Sequence, residues 1–244
     1  MDMGEKRSFG KGIFFDVDDT LYDHLQPLRE ALRDVLGTGE EFPYEEVYHR
    51  FRYYSDMLSA SHGAVNAQGA ERDLQDMRVK RAQLALAEFG VHVTNPEAAR
   101  IQQQYLERQF RITPFPGVMK LISDLQAAGH VVGLITNGPE RHQMAKIKAL
   151  AMDAAIPSER IFISGAVGYD KPDPRLFTFV NERTGTKASQ SYYVGDSWRN
   201  DVVGALEAGW TAVWFNHRRV EPESEHQPHY TAGSYRELAE FLLS

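Results

Sequence analysis

The rhythm of apolar positions changes three times along this chain. Ile13, Phe14 and Phe15 form a short run that is too uniformly apolar for a half-exposed strand, and it predicts a buried one. From residue 22 to residue 112 the spacing is helical. Leu28, Ala31, Leu32 and Val35 share one face, as do Val47, Phe51, Tyr54 and Leu58. Leu74, Met77, Arg81, Leu84 and Glu88 trace a mixed stripe with Ala85 and Phe89 beside it, and Ile101 and Tyr105 mark a further helix that opens near Pro96. No strand pattern interrupts this region, which predicts a small helical bundle. Thr113-Pro-Phe-Pro-Gly117 reads as the linker that returns the chain to its first domain.

Beyond that linker helices and strands alternate. A helix carrying Val118, Leu121, Ile122 and Leu125 ends near Gly129. Strands are expected at 131–135, 160–164, 191–194 and 211–215, and a last helix carries Leu238, Phe241 and Leu242. This alternation predicts an α/β fold, a parallel sheet with helices on both faces. Residues 1–21 and 113–244 would form that core, and 22–112 a helical insertion.

Composition narrows the class. At 244 residues, 42% apolar and 25% charged, the chain can bury one large α/β core with an insertion. A net charge of −7 with no compensating basic run argues against a nucleic-acid polymer as partner. The absence of cysteine excludes disulfides and thiolate chemistry, and fits a reducing compartment. No apolar run approaches the roughly 20 residues of a membrane helix. Met1 to Lys11 is polar and lacks a signal-peptide apolar region, so a cytoplasmic location is expected.

The candidate chemistry sits where strands end. The first strand runs into Asp16-Val17-Asp18-Asp19-Thr20, the second into Thr136-Asn137-Gly138, and a later one into Gly195-Asp196 and on to Asp201. Between them lies a loop carrying Lys171. In a parallel sheet these ends share one edge, where ligands bind. Asp16 and Asp18, two residues apart in extended geometry, point the same way and would repel, a cost that a metal cation would offset and that a nucleophile beside an acid/base would use. Taken alone, such a cluster also serves simply to form a turn. Zinc is not indicated: His24, His49, His62 and His92 lack ligand spacing, and no HxxxH or HxH pair occurs.

Together these segments resemble the haloacid dehalogenase superfamily of phosphatases: DxDxT as Asp16 to Thr20, a hydroxyl after a strand as Thr136, then Lys171, then GDxxxxD as Gly195-Asp196 to Asp201. The resemblance covers essentially the whole chain. It implies a Rossmann-like core, with 22–112 as a helical type-one cap that admits only small phosphate esters. It implies Asp16 as nucleophile, forming an aspartyl-phosphate, and Asp18 as the acid that protonates the leaving oxygen and the base that activates water. Thr20 would orient Asp18 or serve as a turn hydroxyl. Thr136 and the Asn137 backbone N–H would hold phosphoryl oxygens, although strand propensity alone also accounts for Thr136.

Lys171 and one Mg²⁺ would balance the crowded carboxylates, each close pair of which costs on the order of 4 kcal/mol at an effective dielectric of about 20. Asp16, Asp196 and the backbone carbonyl of Asp18 are the Mg²⁺ ligands the resemblance implies. Asp201 would bind through water or sit in a first helical turn. The expected activity is hydrolysis of a small phosphorylated metabolite, with a nucleoside monophosphate as the narrower reading. Phosphomutase-type transfer and a non-catalytic, phosphate-responsive switch are the alternatives. Tyr22, Asp23 and His24 leave the first loop toward the insertion, and would touch the leaving group or lie on the surface.

Overall fold

The computed structural model describes residues 10–61 and 70–244. Residues 1–9, His62 and the side chain of Leu74, all used in the sequence reading, lie outside the described residues. The chain divides into two compact units, one comprising the residues up to Asp23 together with Thr113–Ser244, the other His24–Ile112.

In the first unit six parallel strands form one sheet: β1 (Gly12–Phe15), β2 (Val131–Thr136), β3 (Ile161–Ile163), β4 (Ser191–Gly195), β5 (Thr211–Phe215) and β6 (Tyr230–Ala232), in the spatial order β3-β2-β1-β4-β5-β6. β1 lies inside the sheet between β2 and β4, and all four of its residues are buried. Ile13, Phe14 and Phe15 are fully buried, each contributing about 1.5–3 kcal/mol. Phe14 packs on Trp210, ring centroids 5.2 Å apart, in a cluster with Leu176, Phe177 and Val180. Phe15 is in register with Leu134 of β2 and Val194 of β4, which brings the ends of β1, β2 and β4 together.

β6 was not expected. Of its three residues only Ala232 is buried, too little apolar signal for a period to emerge.

The second unit contains α1 (Leu25–Leu36), α2 (Tyr44–Ser61), α3 (Ala70–Ala87) and α4 (Asn95–Arg108). Leu28 and Leu32 of α1 share a core cluster with Val47 and Phe51 of α2 and Ile101 of α4, and Ala31 on the same face is fully buried, as their spacing predicts. α4 opens on a capping box: the Thr94 hydroxyl accepts from the Glu97 N–H, and the Glu97 carboxylate accepts from the Thr94 N–H. The stripe expected on α3 needs correcting. Among the described residues the buried ones are Ala82, Ala85 and Leu86, while Met77, Arg81 and Leu84 are half-buried and Glu88 is exposed. In a helix this rich in alanine and charge, several faces look alike to a periodicity count, and packing selects the one with small side chains.

Back in the first unit lie α5 (Val118–Ala127), α6 (Glu140–Ala149), α7 (Pro174–Thr184) and α8 (Tyr235–Leu242). α5 buries Val118, Leu121, Ile122 and Leu125, the four positions its spacing marks. Among the described residues no helix is long and apolar enough to cross a membrane.

Candidate active site

The end of β1 leads directly into the site. The Asp16 N–H still donates to the Val194 carbonyl at 2.9 Å, which fixes its backbone between the flanking strands. Its carboxylate is buried and accepts from Lys171 Nζ at 2.7 Å on Oδ1. The same ammonium donates to Asp201 Oδ1 and to the Tyr193 hydroxyl, each at 2.7 Å, so all three of its protons are placed. Tyr193 passes its own proton to the Ile135 carbonyl at 2.6 Å. The Lys171 loop is held by the Asn137 side chain, whose Oδ1 accepts from the Lys171 N–H at 2.8 Å and whose amide donates to the Lys171 carbonyl at 2.9 Å. The Asn137 side chain thus positions the lysine, leaving only its backbone N–H for the phosphoryl role expected of it.

Asp201 lies in a single wide turn at Trp198–Val203. Its second oxygen accepts from the Ser197 N–H at 2.9 Å. A Cβ at position 195 would collide with this carboxylate, which is why a glycine precedes Asp196. Trp198 is buried edge-on against Trp214, and Arg199 is exposed, so neither points to chemistry.

Burial acts on these charges in opposite directions. It pushes the Asp16 carboxyl up to about 8, assisted by the Asp201, Asp196 and Asp18 carboxylates and opposed by Lys171. For Lys171 burial works downward, but Asp16 and Asp201 outweigh it and raise the ammonium above its ordinary value.

Asp18 occupies different surroundings. Its carboxylate accepts from the Tyr22 hydroxyl at 2.6 Å, from Gln143 Nε2 at 3.1 Å and from Lys146 Nζ at 2.8 Å on both oxygens. Gln143 Nε2 also reaches Thr136 Oγ1 at 2.5 Å. Thr20 does not orient Asp18: its hydroxyl is buried without a hydrogen-bond partner among the described residues, and its carbonyl accepts from Tyr235 at 2.6 Å.

Sequence reasoning passed over Gln143 and Lys146. A signal was present, since they lie three residues apart, on one face of the helix that opens just after Thr136-Asn137-Gly138. Tyr22 meets Asp18 itself, while His24 sits in the helical unit between the hydroxyls of Tyr48 at 3.2 Å and Tyr105 at 2.7 Å.

Asp19 enters an ion pair that the sequence reading did not foresee. It is fully buried with a left-handed backbone (φ 59°), and Arg218 Nη2 donates to it at 2.8 Å and to Asp23 at 2.6 Å. Removing one partner of a buried pair strands the other charge, at a cost of about 3–5 kcal/mol. Arg218→Met is therefore expected to lower unfolding free energy by about that amount in urea titration. Asp19→Asn in the same background should recover part of the loss.

Among the described residues three carboxylates form a candidate cation site: one oxygen each from Asp16, Asp196 and Asp201 lies within 4.8 Å of the others. The Asp18 side chain is not in this group, its carboxylate being turned to Lys146.

This geometry can be set against known proteins. A model of the haloacid dehalogenase-like hydrolases matches residues 11–209. The chain belongs to that family. A phosphoserine phosphatase of Thermus thermophilus is 31% identical over 255 residues, covering 95% of this chain and 100% of the relative. A glyceraldehyde 3-phosphate phosphatase of Methanothermobacter thermautotrophicus is 27% identical over 220 residues, covering 88% and 90%. Among solved structures, a crystal structure of a dehalogenase superposes with a TM-score of 0.73 at 20% identity, covering 97% of this chain and 99% of that one, a likeness of fold. The family match places Asp16 near its N-terminal end and runs on past Asp201, so every candidate site residue lies within the matched haloacid dehalogenase-like segment.

Proposed function

We propose that this haloacid dehalogenase-like hydrolase is a Mg²⁺-dependent phosphatase that cleaves a small phosphate monoester through an aspartyl-phosphate on Asp16. One observation carries the reading: two carboxylates two residues apart have different partners, Asp16 on Lys171 and Asp18 on Lys146. Paired carboxylates in unlike environments divide the work of nucleophile and acid/base.

In this reading an Asp16 carboxylate oxygen attacks phosphorus as the bond to the leaving oxygen breaks. The carboxyl proton of Asp18 passes to that oxygen, and the alcohol departs. Water then attacks phosphorus and gives its proton to Asp18, the bond to Asp16 breaks, and orthophosphate is released. Thr136 and the Asn137 N–H bind phosphoryl oxygens, and Lys171 offsets charge beside Asp16.

The donor set fits Mg²⁺, being all oxygen and crowded enough that burial and neighbouring carboxylates push the Asp16 carboxyl up to about 8. Asp16, Asp196 and the Asp18 backbone carbonyl would hold it, with Asp201 alongside. When bound, Mg²⁺ supplies positive charge against the phosphoryl oxygens and keeps Asp16 ionised. In this reading the helical unit is the cap, and the ester is a small metabolite. A nucleoside monophosphate is the narrower candidate, from the resemblance.

The test is phosphate release from nucleoside monophosphates, sugar phosphates, phosphoserine and three-carbon phosphates, before and after chelation. EDTA should reduce turnover by at least about 100-fold, and added Mg²⁺ should restore it. Turnover that persists without metal would refute the charge assignment. Transfer of the phosphoryl group to a second hydroxyl in place of water would identify a mutase.

A further inference from the structure

Lys146 takes no step in the reaction described above, yet among the described residues it is one of the most buried lysines. Its side chain is only 4% exposed. Among the described residues its ammonium makes an ion pair with a single carboxylate, Asp18, and meets both oxygens of that group at 2.8 Å. A lysine is rarely buried unless a partner offsets its lost hydration. Core packing does not call for one here, because the neighbouring face of α6 is already served by Ile147, fully buried.

One turn earlier on the same helix, Gln143 donates to Asp18 at 3.1 Å and to the Thr136 hydroxyl at 2.5 Å. A single helix face thus ties together the hydroxyl proposed to hold a phosphoryl oxygen and the carboxyl proposed to protonate the leaving group. The Tyr22 hydroxyl also donates to Asp18 Oδ1, at 2.6 Å.

We propose that Lys146, supported by Gln143, is a positioning residue that holds Asp18 in place for proton transfer to the leaving oxygen. The symmetric contact suits that work. When one Asp18 oxygen carries the proton to be delivered, the other still accepts from Lys146, so the carboxyl need not reorient between the proton-bearing and proton-free halves of the cycle. The inference rests on the phosphatase reading, in which Asp18 is the acid.

A misplaced acid is felt only where the leaving group requires a proton. p-Nitrophenolate departs without one, whereas an alkoxide does not. The experiment compares kcat/KM, which reports the steps through loss of the leaving group, for p-nitrophenyl phosphate and for a simple alkyl phosphate. Lys146→Met should lower the alkyl value by about 30-fold, since a positioned acid contributes roughly 10²–10⁴-fold, and change the nitrophenyl value by less than about 3-fold. Lys146→Arg, which keeps a cation able to reach both oxygens, should return the alkyl value to within a few-fold of wild type. Equal losses with the two esters, or an unchanged alkyl value, would overturn the proposal. So would a loss that Lys146→Arg does not rescue while its melting temperature matches wild type. If the wild-type protein cleaves neither ester, the phosphatase reading itself fails, and that outcome is read before any variant is compared.

Discussion

Asp16→Asn is expected to abolish hydrolysis, lowering kcat by at least about 10⁴-fold, the scale on which removal of a nucleophile is felt. The fold should survive. The amide keeps the shape of the carboxylate, and Lys171 keeps Asp201 and Tyr193 as acceptors at 2.7 Å. Stability supplies a second readout whose sign can be worked out. Burial, then the neighbouring carboxylates, raise the folded Asp16 pKa from 3.8 to about 8. In metal-free protein the native state therefore binds more protons at this site than the unfolded chain between those values, and stability falls as pH rises from about 4 to about 8. Asp16→Asn removes this contribution, so its thermal midpoint should decline less over that window than that of wild type. Activity near wild type in Asp16→Asn would sink the nucleophile assignment whatever the thermal result.

Lys171→Met should have the second largest effect, and should act on stability and rate together. The lysine is buried with 3% of its side chain exposed, and it neutralises two carboxylates that are themselves buried. Removing it leaves Asp16 and Asp201 facing each other without the cation between them, at a cost of about 3–5 kcal/mol in unfolding free energy by urea titration. Adding Asp201→Asn should return part of that stability, because the two residues share one network and their effects cannot add independently. It should not return activity, since the charge beside Asp16 is still missing, and a loss of about 10²–10³-fold in kcat should persist. A double variant that regains activity would show that Lys171 serves the fold alone.

Both predictions concern residues visible in the sequence, and the reason is physical. Asp16, Lys171 and Asp196 each follow a strand, or lie in a loop that follows one, and a parallel sheet gathers such ends at one edge. Apolar runs betray buried strands, so β1, β2, β4 and β5 were found to within a residue or so, while β6, with one buried residue in three, was not. Thr20 shows the limit of reading by position. It belongs to the motif, but its hydroxyl never reaches Asp18, whose orientation is set by Tyr22, Gln143 and Lys146.

Local pattern carried the alternation of strands and helices, the helical insertion, and the carboxylates and lysine at the strand ends, because period and turn chemistry are properties of neighbours along the chain. Partnership across the chain is a different quantity. Asp18 meets Lys146 from 128 residues away, and Asp19 meets Arg218 from 199. Which face of α3 is buried, which of two lysines serves which aspartate, and where a third carboxylate of the first loop finds its counter-charge all depend on how the crossovers bring distant segments together. Those choices are made by burial, which leaves each buried charge stable only beside a partner and so selects among side chains that look equivalent in the sequence.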